Sequence, residues 1–344
     1  MRIVDFDFDS ELLKQFLNFP RRHYASDPNW MPDPAETRLL SQSDSASMRW
    51  RNFLALSGEE ARGRVTAIIN PRLHDKNGQL YGQLGFFECV NDLSTAQALI
   101  DPAVKWLSAN LTSRANVLAP MNFDTWHAYR FRTKGFDEPT FFMEPQNSSY
   151  YPALFCELGF VPTSDYVTKT VNALAPALDF WKPYHRDMLA KGFAVRPFNL
   201  GAMTEEMSLI YRLSLDMFRE NLFFTDISEA EFRALYAGAA RSLDPDLFLF
   251  LIDPAGEVVG LCFSIPDHRQ PTTVNVKTFG ILPHIRHEGI GAGFAWEVYS
   301  RFLARGFVRV NHCLMRAGNR ADAFDGGAGE VTREYTLYVR PLGI

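Results

Sequence analysis

The sequence predicts an α/β (α+β) protein of two domains, each a mixed, mostly antiparallel twisted sheet flanked by helices. Three observations predict it. Short apolar runs of strand length alternate with longer stretches of helical spacing. The order of elements in the first half returns, more clearly, in the second. Finally, the apolar run Val274 to Leu282 leads through Arg286, Gly289 and Gly291 into a helical stretch, an arrangement that sheet-and-helix domains use at ligand sites.

Length and composition fit this reading. A chain of 344 residues exceeds what a single core usually fills. Hydrophobic residues make up 47% and charged residues 22%, as in a folded globular protein. The 29 Phe and 12 Tyr predict well-filled cores. A formal net charge of −5 gives no overall electrostatic reason to bind nucleic acid or an anionic membrane. Cys89, Cys156, Cys262 and Cys313 lie far apart without disulfide or metal-ligand spacing, and most sit in apolar runs where a buried thiol is expected. The opening segment, "MRIVDFDFDSELLKQF", is acidic and broken by charges, unlike a signal peptide. No stretch approaches the roughly 18–20 apolar residues of a membrane span. The expectation is a reduced, cytoplasmic protein, monomer or homodimer, with no metal and no nucleic-acid or membrane partner.

In the second half, residues 193–198 read as a strand and 204–219 as a helix with an apolar stripe at Met207, Ile210, Tyr211, Leu213, Leu215 and Phe218. A second helix is expected from Ser228, its N-cap, to Arg241, with Glu229 in the first turn. "LFLFLI" and "VVGLCFSI", joined by "DPAGE", read as a hairpin. A strand over 274–282 follows, then a helix to about Arg305 closed by Gly306, and strands over 307–315 and 333–340. The first half offers a hairpin (53–57, 63–69), a strand (81–90) and a long helix from Ser94 to Asn110. A strand (116–121), a short helix from Tyr150 to Glu157 and a strand (165–171) complete it. The expected domains are 1–172 and 193–344, with 173–192 as connector.

The turn after Leu282 is not a dinucleotide fingerprint, because Phe294 stands where the third glycine belongs. It is not a P-loop either, since no Gly-Lys-Ser/Thr occurs. What remains is strand, Arg-x-x-Gly-x-Gly, helix. Glycines at 289 and 291 keep Cβ atoms away from a ligand while backbone N–H groups and the helix dipole converge on it. Arg286 can add a charge-assisted contact. A pyrophosphate suits such a cradle; the competing reading is a tight turn whose glycines only satisfy backbone geometry.

This stretch, with Leu282-Pro283 ahead of it and the element order around it, resembles motif A of the GNAT acyltransferases. The resemblance implies that acetyl-CoA or another acyl-CoA is co-substrate and that the reaction is direct N-acylation of a small amine or amino-acid-like metabolite. The implied binding residues are Ile281, Leu282, Arg286, His287, Glu288, Gly289, Ile290, Gly291 and Ala292, with Asn319 placed to meet the pantetheine arm. In the first half "PALFCELGF" is similar to the family's domain ending, but "VNDLSTAQAL" replaces motif A, and Asp92 would meet a phosphate with like charge. This half resembles a degenerate GNAT domain, and the chain as a whole resembles tandem GNAT-like bacterial proteins.

The resemblance also exposes departures. Many members carry a Glu on the strand before motif A, whereas this strand reads Val-Asn-Val-Lys-Thr-Phe-Gly. Asn275 and Thr278 can position water but cannot accept the proton. His312 on the following strand is the candidate base, its ordinary pKa suiting the task; a core histidine is the plainer alternative. Phe324 stands in the region of the family's thiol-protonating Tyr. Asp216 and Glu220 could hold a cationic amine, or form a solvated helix face. In the first half Trp126, His127, Tyr129 and Arg130 crowd one loop, suited to an anionic or aromatic ligand or to packing between domains. Two other readings stay open: a non-catalytic CoA or ligand sensor, and a Fem-like aminoacyl transferase, which the acidic net charge disfavours.

Overall fold

A computed structural model describes residues 1–7, 10–32, 36, 40, 48–238, 243–286, 289–318 and 329–343. The chain forms two compact units: Met1–Asp165 with Leu222–Thr225 and Glu334–Ile344, and Tyr166–Asn221 with Asp226–Arg333.

The first unit begins with β1 (Arg2–Phe6) and α1 (Ser10–His23). β2 (Arg49–Ser57), β3 (Glu60–Ile69) and β4 (Gly82–Cys89) follow as an antiparallel run, in which Phe53 pairs with Val65 and Ala67 with Leu84. Then come α2 (Leu93–Asn110), β5 (Asn116–Ala119), β6 (Phe131–Lys134) and α3 (Tyr151–Glu157). β4 and β5 run parallel but pair only at Gly82–Val117 and Gln83–Leu118, so most of β4 splays from β5. Leu99, Ile100, Ala103 and Leu107 recur at helical spacing on α2 and bury against the sheet with Phe155 of α3. Phe16 and Phe19 of α1 cover Leu54, Ile68 and Phe86 on the other face. Each such side chain contributes about 1.5–3 kcal/mol when fully buried.

The second unit takes in β7 (Val161–Val171) from Tyr166 onward, α4 (Leu174–Ala190), β8 (Ala194–Pro197), α5 (Met203–Phe218), α6 (Glu229–Tyr236), β9 (Phe248–Ile252), β10 (Val258–Pro266), β11 (Thr273–Ile281), α7 (Ile290–Ala304) and β12 (Arg309–Arg316). Its strand order is β7-β12-β11-β10-β9-β8, antiparallel except for the parallel β11–β12 pair. Strand alternation divides the side chains between two faces. Leu249, Leu251, Val274 and Val276 pack beneath α4 and α7, with Trp181 edge-on to Tyr299 at 4.8 Å. Phe248, Leu261 and Phe263 face α5 and α6.

The units depart from the sequence halves in two ways. β13 (Glu330–Pro341) contributes its residues from Glu334 onward to the first unit, where it pairs with β5 and β6. β7 from Tyr166 supplies the second unit's outer strand, paired with β12. The segment 173–192, expected as a connector, is largely α4, whose Leu174, Ala177, Trp181 and Met188 are part of the second core. Pro183 is accommodated inside the helix.

Among the described residues, the helix expected to reach Arg241 closes at Tyr236 behind a complete capping box of Ser228 and Glu231. The strand expected over 116–121 stops at Ala119, before a cis Ala119–Pro120 bond. Cys89, Cys262 and Cys313 are buried strand thiols, and Cys156 is exposed. Among the described residues, no helix is long and apolar enough to cross a membrane.

Candidate functional site

β11 runs into a 3-10 turn, Pro283–Ile285, and α7 begins after Gly289. Gly289 has φ +72°, a left-handed conformation glycine adopts without a Cβ penalty. A Cβ there would also meet the Tyr184 ring at 2.8 Å, because α4 packs beside the turn. Among the described residues, no side chain caps α7. The N–H groups of Ala292 and Gly293 both turn back to the Gly289 carbonyl, at 3.1 Å each. Those of Ile290 and Gly291 precede the first intrahelical bond and belong to the orphan donors of a helix start. The turn therefore presents backbone donors and the positive end of a 15-residue helix.

Arg286 folds back onto this end of β11. Its Nε donates to the Ile281 carbonyl at 3.1 Å and its Nη2 to the Met217 carbonyl of α5 at 3.2 Å. The Leu282 N–H donates to the Val259 carbonyl of β10 at 2.8 Å, which commits that donor within the sheet. Strand alternation then turns the N–H and C=O of Ile281 toward the other edge, the side reached by Arg286. The β11–β12 ladder ends at Val276–His312, so this edge lies beyond the point where the strands splay. Ile281, Arg286, Gly289, Ile290, Gly291 and Ala292 thus lie on one strand end, turn and helix start. His287, Glu288 and Asn319 lie outside the described residues, as does Phe324.

His312 is 6% exposed, and its Nε2 lies 2.5 Å from the Tyr299 hydroxyl of α7. Its ring faces the α7 side of the sheet, the same side as Val310. The α5 face carries a ladder of buried polar side chains in its place. Asn311 donates to Asn275 and accepts from Thr170, both at 2.8 Å, and Thr170 reaches Thr332 at 2.8 Å. Asn275 is thereby committed within the ladder. On the same face, Met207, Ile210, Phe232, Phe248, Leu261 and Phe263 line a pocket that is partly open to solvent. Ser214 and Thr278 bring hydroxyls to it. Asp216 and Glu220 are exposed in the second unit.

Trp126, His127, Tyr129 and Arg130 belong to the first unit, so the candidate acceptor residues divide between the units. Trp126 Nε1 donates to the Thr225 carbonyl at 2.9 Å, and its ring lies 5.6 Å from Phe224. His127 Nδ1 sits 2.6 Å from Asp124. Arg130 lies 3.8 Å over the Tyr129 ring and is buried rather than solvated. The loop is packed around the segment Leu222–Thr225.

Sequence reasoning missed a buried titratable cluster in the first unit. Glu88, on β4, accepts from the hydroxyls of Tyr24 at 2.6 Å and Tyr151 at 2.8 Å, with Arg64 at 4.0 Å. Burial pushes the Glu88 carboxyl up to about 7, against the opposing pull of Arg64 and the two tyrosines. Burial, then Arg64, holds the nearby His23 below its ordinary value. At the end of β4 the Cys89 N–H donates to Tyr151 at 2.8 Å and its carbonyl accepts from Tyr150 at 2.7 Å. Asn122 takes the Phe86 N–H at 2.8 Å. Where the second unit has a glycine turn, Asp92 caps α2 by accepting from the Thr95 N–H at 2.9 Å. The only local signal for this cluster was the string of aromatic and acidic residues, because its members lie up to 128 positions apart.

No protein-family profile matches the chain. It is 25% identical over 261 residues to protein YghO of Escherichia coli K12, a match covering 72% of this chain and 65% of that one. It is 24% identical over 264 residues to a bacterial ceramide synthase of Caulobacter vibrioides, covering 74% of this chain and 67% of that one. The chain thus spans about two thirds of the length of these relatives. A GCN5-related N-acetyltransferase of Sphaerobacter thermophilus superposes over 99% of this chain and 96% of its own, with TM-score 0.54 and 14% identity. A tandem GNAT protein of the clavulanic acid pathway superposes over 100% and 99%, with TM-score 0.58 and 11% identity. The chain has the tandem GNAT fold.

Proposed function

We propose that this protein is an acyl-CoA-dependent N-acyltransferase whose second unit holds the CoA pyrophosphate on the turn before α7. The observation that carries the reading is the helix start itself: a left-handed Gly289, no side-chain cap among the described residues, and Arg286 beside the outward-turned edge of Ile281. Backbone donors at Ile290 and Gly291 would meet the pyrophosphate, with the helix dipole adding to the attraction. The Ile281 N–H would polarise the thioester carbonyl at the splayed edge. The amine nitrogen then bonds to the carbonyl carbon, the C–S bond breaks, and the proton lost by the amine ends on the thiol. Acetyl-CoA is the simplest donor and a small amine or amino-acid-like metabolite the simplest acceptor; the apolar pocket on the α5 face is where a longer acyl group would lie.

One observation favours a second reading, a non-catalytic acyl-CoA sensor. β11 carries no carboxylate, and the His312 ring faces Tyr299 on the α7 side rather than the α5 face. The likeness to a relative named as a synthase favours the enzyme. Release of free thiol from acetyl-CoA and longer acyl-CoAs, followed against a panel of primary amines, separates the two. Amine-dependent release establishes the transferase. Tight acyl-CoA binding without release for any amine establishes the sensor, and no binding at all removes both.

A further inference from the structure

We infer that the pocket beneath α5 and α6 is a binding site for a linear alkyl chain, an assignment that rests on the acyl-CoA reading of the adjacent turn. Its walls are the side chains of Met207, Ile210, Phe232, Phe248, Leu261 and Phe263, contributed by two helices and two strands of the second unit. The aromatic rings hold one another in place: Phe248 lies 5.1 Å from Phe263, and Phe232 lies 4.7 Å from Tyr236 and 5.6 Å from Tyr211. A space bounded this way offers dispersion contacts along its length and little hydrogen bonding, which selects methylenes over polar groups.

Its place in the fold indicates what sort of chain it takes. Thr278 lines the pocket and stands three residues before Ile281 on the same strand. That separation is about 10 Å of extended backbone. Thr278 pairs with Phe263 of β10, and both side chains line the pocket on the α5 face of the strand whose end carries Ile281. An acetyl group held at Ile281 is too short to enter. A longer chain running along β11 reaches it, with the hydroxyls of Ser214 and Thr278 at the polar margin. Two sources present such a chain to the same walls: the acyl group of the CoA ester, or the hydrocarbon tail of the accepting amine.

The experiment is a pair of calorimetric series on the full chain. One runs from CoA through acetyl-, butyryl-, hexanoyl- and octanoyl- to decanoyl-CoA; the other runs from butylamine to decylamine. If the acyl chain is the occupant, affinity stays flat through the short esters and then climbs about fourfold per added methylene until the pocket is full. If the amine's tail is the occupant, the ester series stays flat and the amine series climbs. In either case Ile210→Trp and, separately, Ser214→Phe, which place bulk in the pocket from α5, flatten the climb while leaving binding of CoA itself intact. Two flat series overturn the inference, as does a climb that both variants leave unchanged. Failure of CoA to bind while decylamine still follows the chain-length rule would remove the acyl-CoA reading and leave the alkyl site standing.

Discussion

The β4–α2 and β11–α7 junctions are built on one plan and finished in opposite ways. Each follows a strand that splays from a parallel neighbour, and each leads straight into a long helix. At the first, the chain satisfies its own backbone. Asp92 caps the helix, Asn122 and Tyr151 take strand N–H groups, and Tyr150 takes the last carbonyl. At the second, a left-handed glycine replaces the cap and the guanidinium of Arg286 borders the splayed edge. A helix start can satisfy itself or hold an anion, and one residue type decides between them.

The largest expected effect comes from placing an acidic side chain in the first turn of α7, two residues past its N-cap. Gly291→Asp puts a carboxylate where the pyrophosphate would lie and lowers acyl-CoA affinity about a hundredfold or more; a melting curve close to wild type shows that the fold survives. Arg286→Ala releases the Ile281 and Met217 carbonyls and removes the nearby positive charge. It weakens acyl-CoA binding about tenfold, read by the same titration.

The first junction is probed through stability. The folded-state pKa of Glu88 is raised, so its contribution is fully present below its unfolded value, near 4.5, and is lost as pH rises through about 7. Glu36, Arg64, His23, Tyr24 and Tyr151 surround it and titrate or bear charge as well. Glu88→Gln therefore flattens the fall in denaturation midpoint between pH 5 and 8 and leaves acyl-CoA binding unchanged. The smallest effect is Asp92→Ala, which removes the α2 cap and lowers the melting temperature by about 2–4 °C, again without touching CoA affinity. In wild type, hydrogen bonds from Thr95 and Ser94 hold the Asp92 carboxyl down at about 2, so the cap stays charged until strongly acid conditions.

Local features were legible in the sequence: the glycine turn, the 248–266 hairpin and the Ser228 cap are all written within a few residues. The exchange of β7 and β13 was not, because pairing of β13 with β5 joins Tyr338 to Ala119, residues remote in sequence. β1 was missed because Asp5 interrupts its apolar pattern. The orientation of His312 follows from strand register, which places it with Val310 on the α7 face; residue type alone could not fix that. The Glu88 cluster needed α1, β4 and α3 to be assembled before its chemistry became visible.

On the proposed function, the second junction and not the first holds acyl-CoA. Calorimetric titration of acetyl-CoA into wild type and into Gly291→Asp tests it most directly. The expected result is one site per chain in wild type and no measurable binding in the variant. Equal binding by both proteins would contradict it.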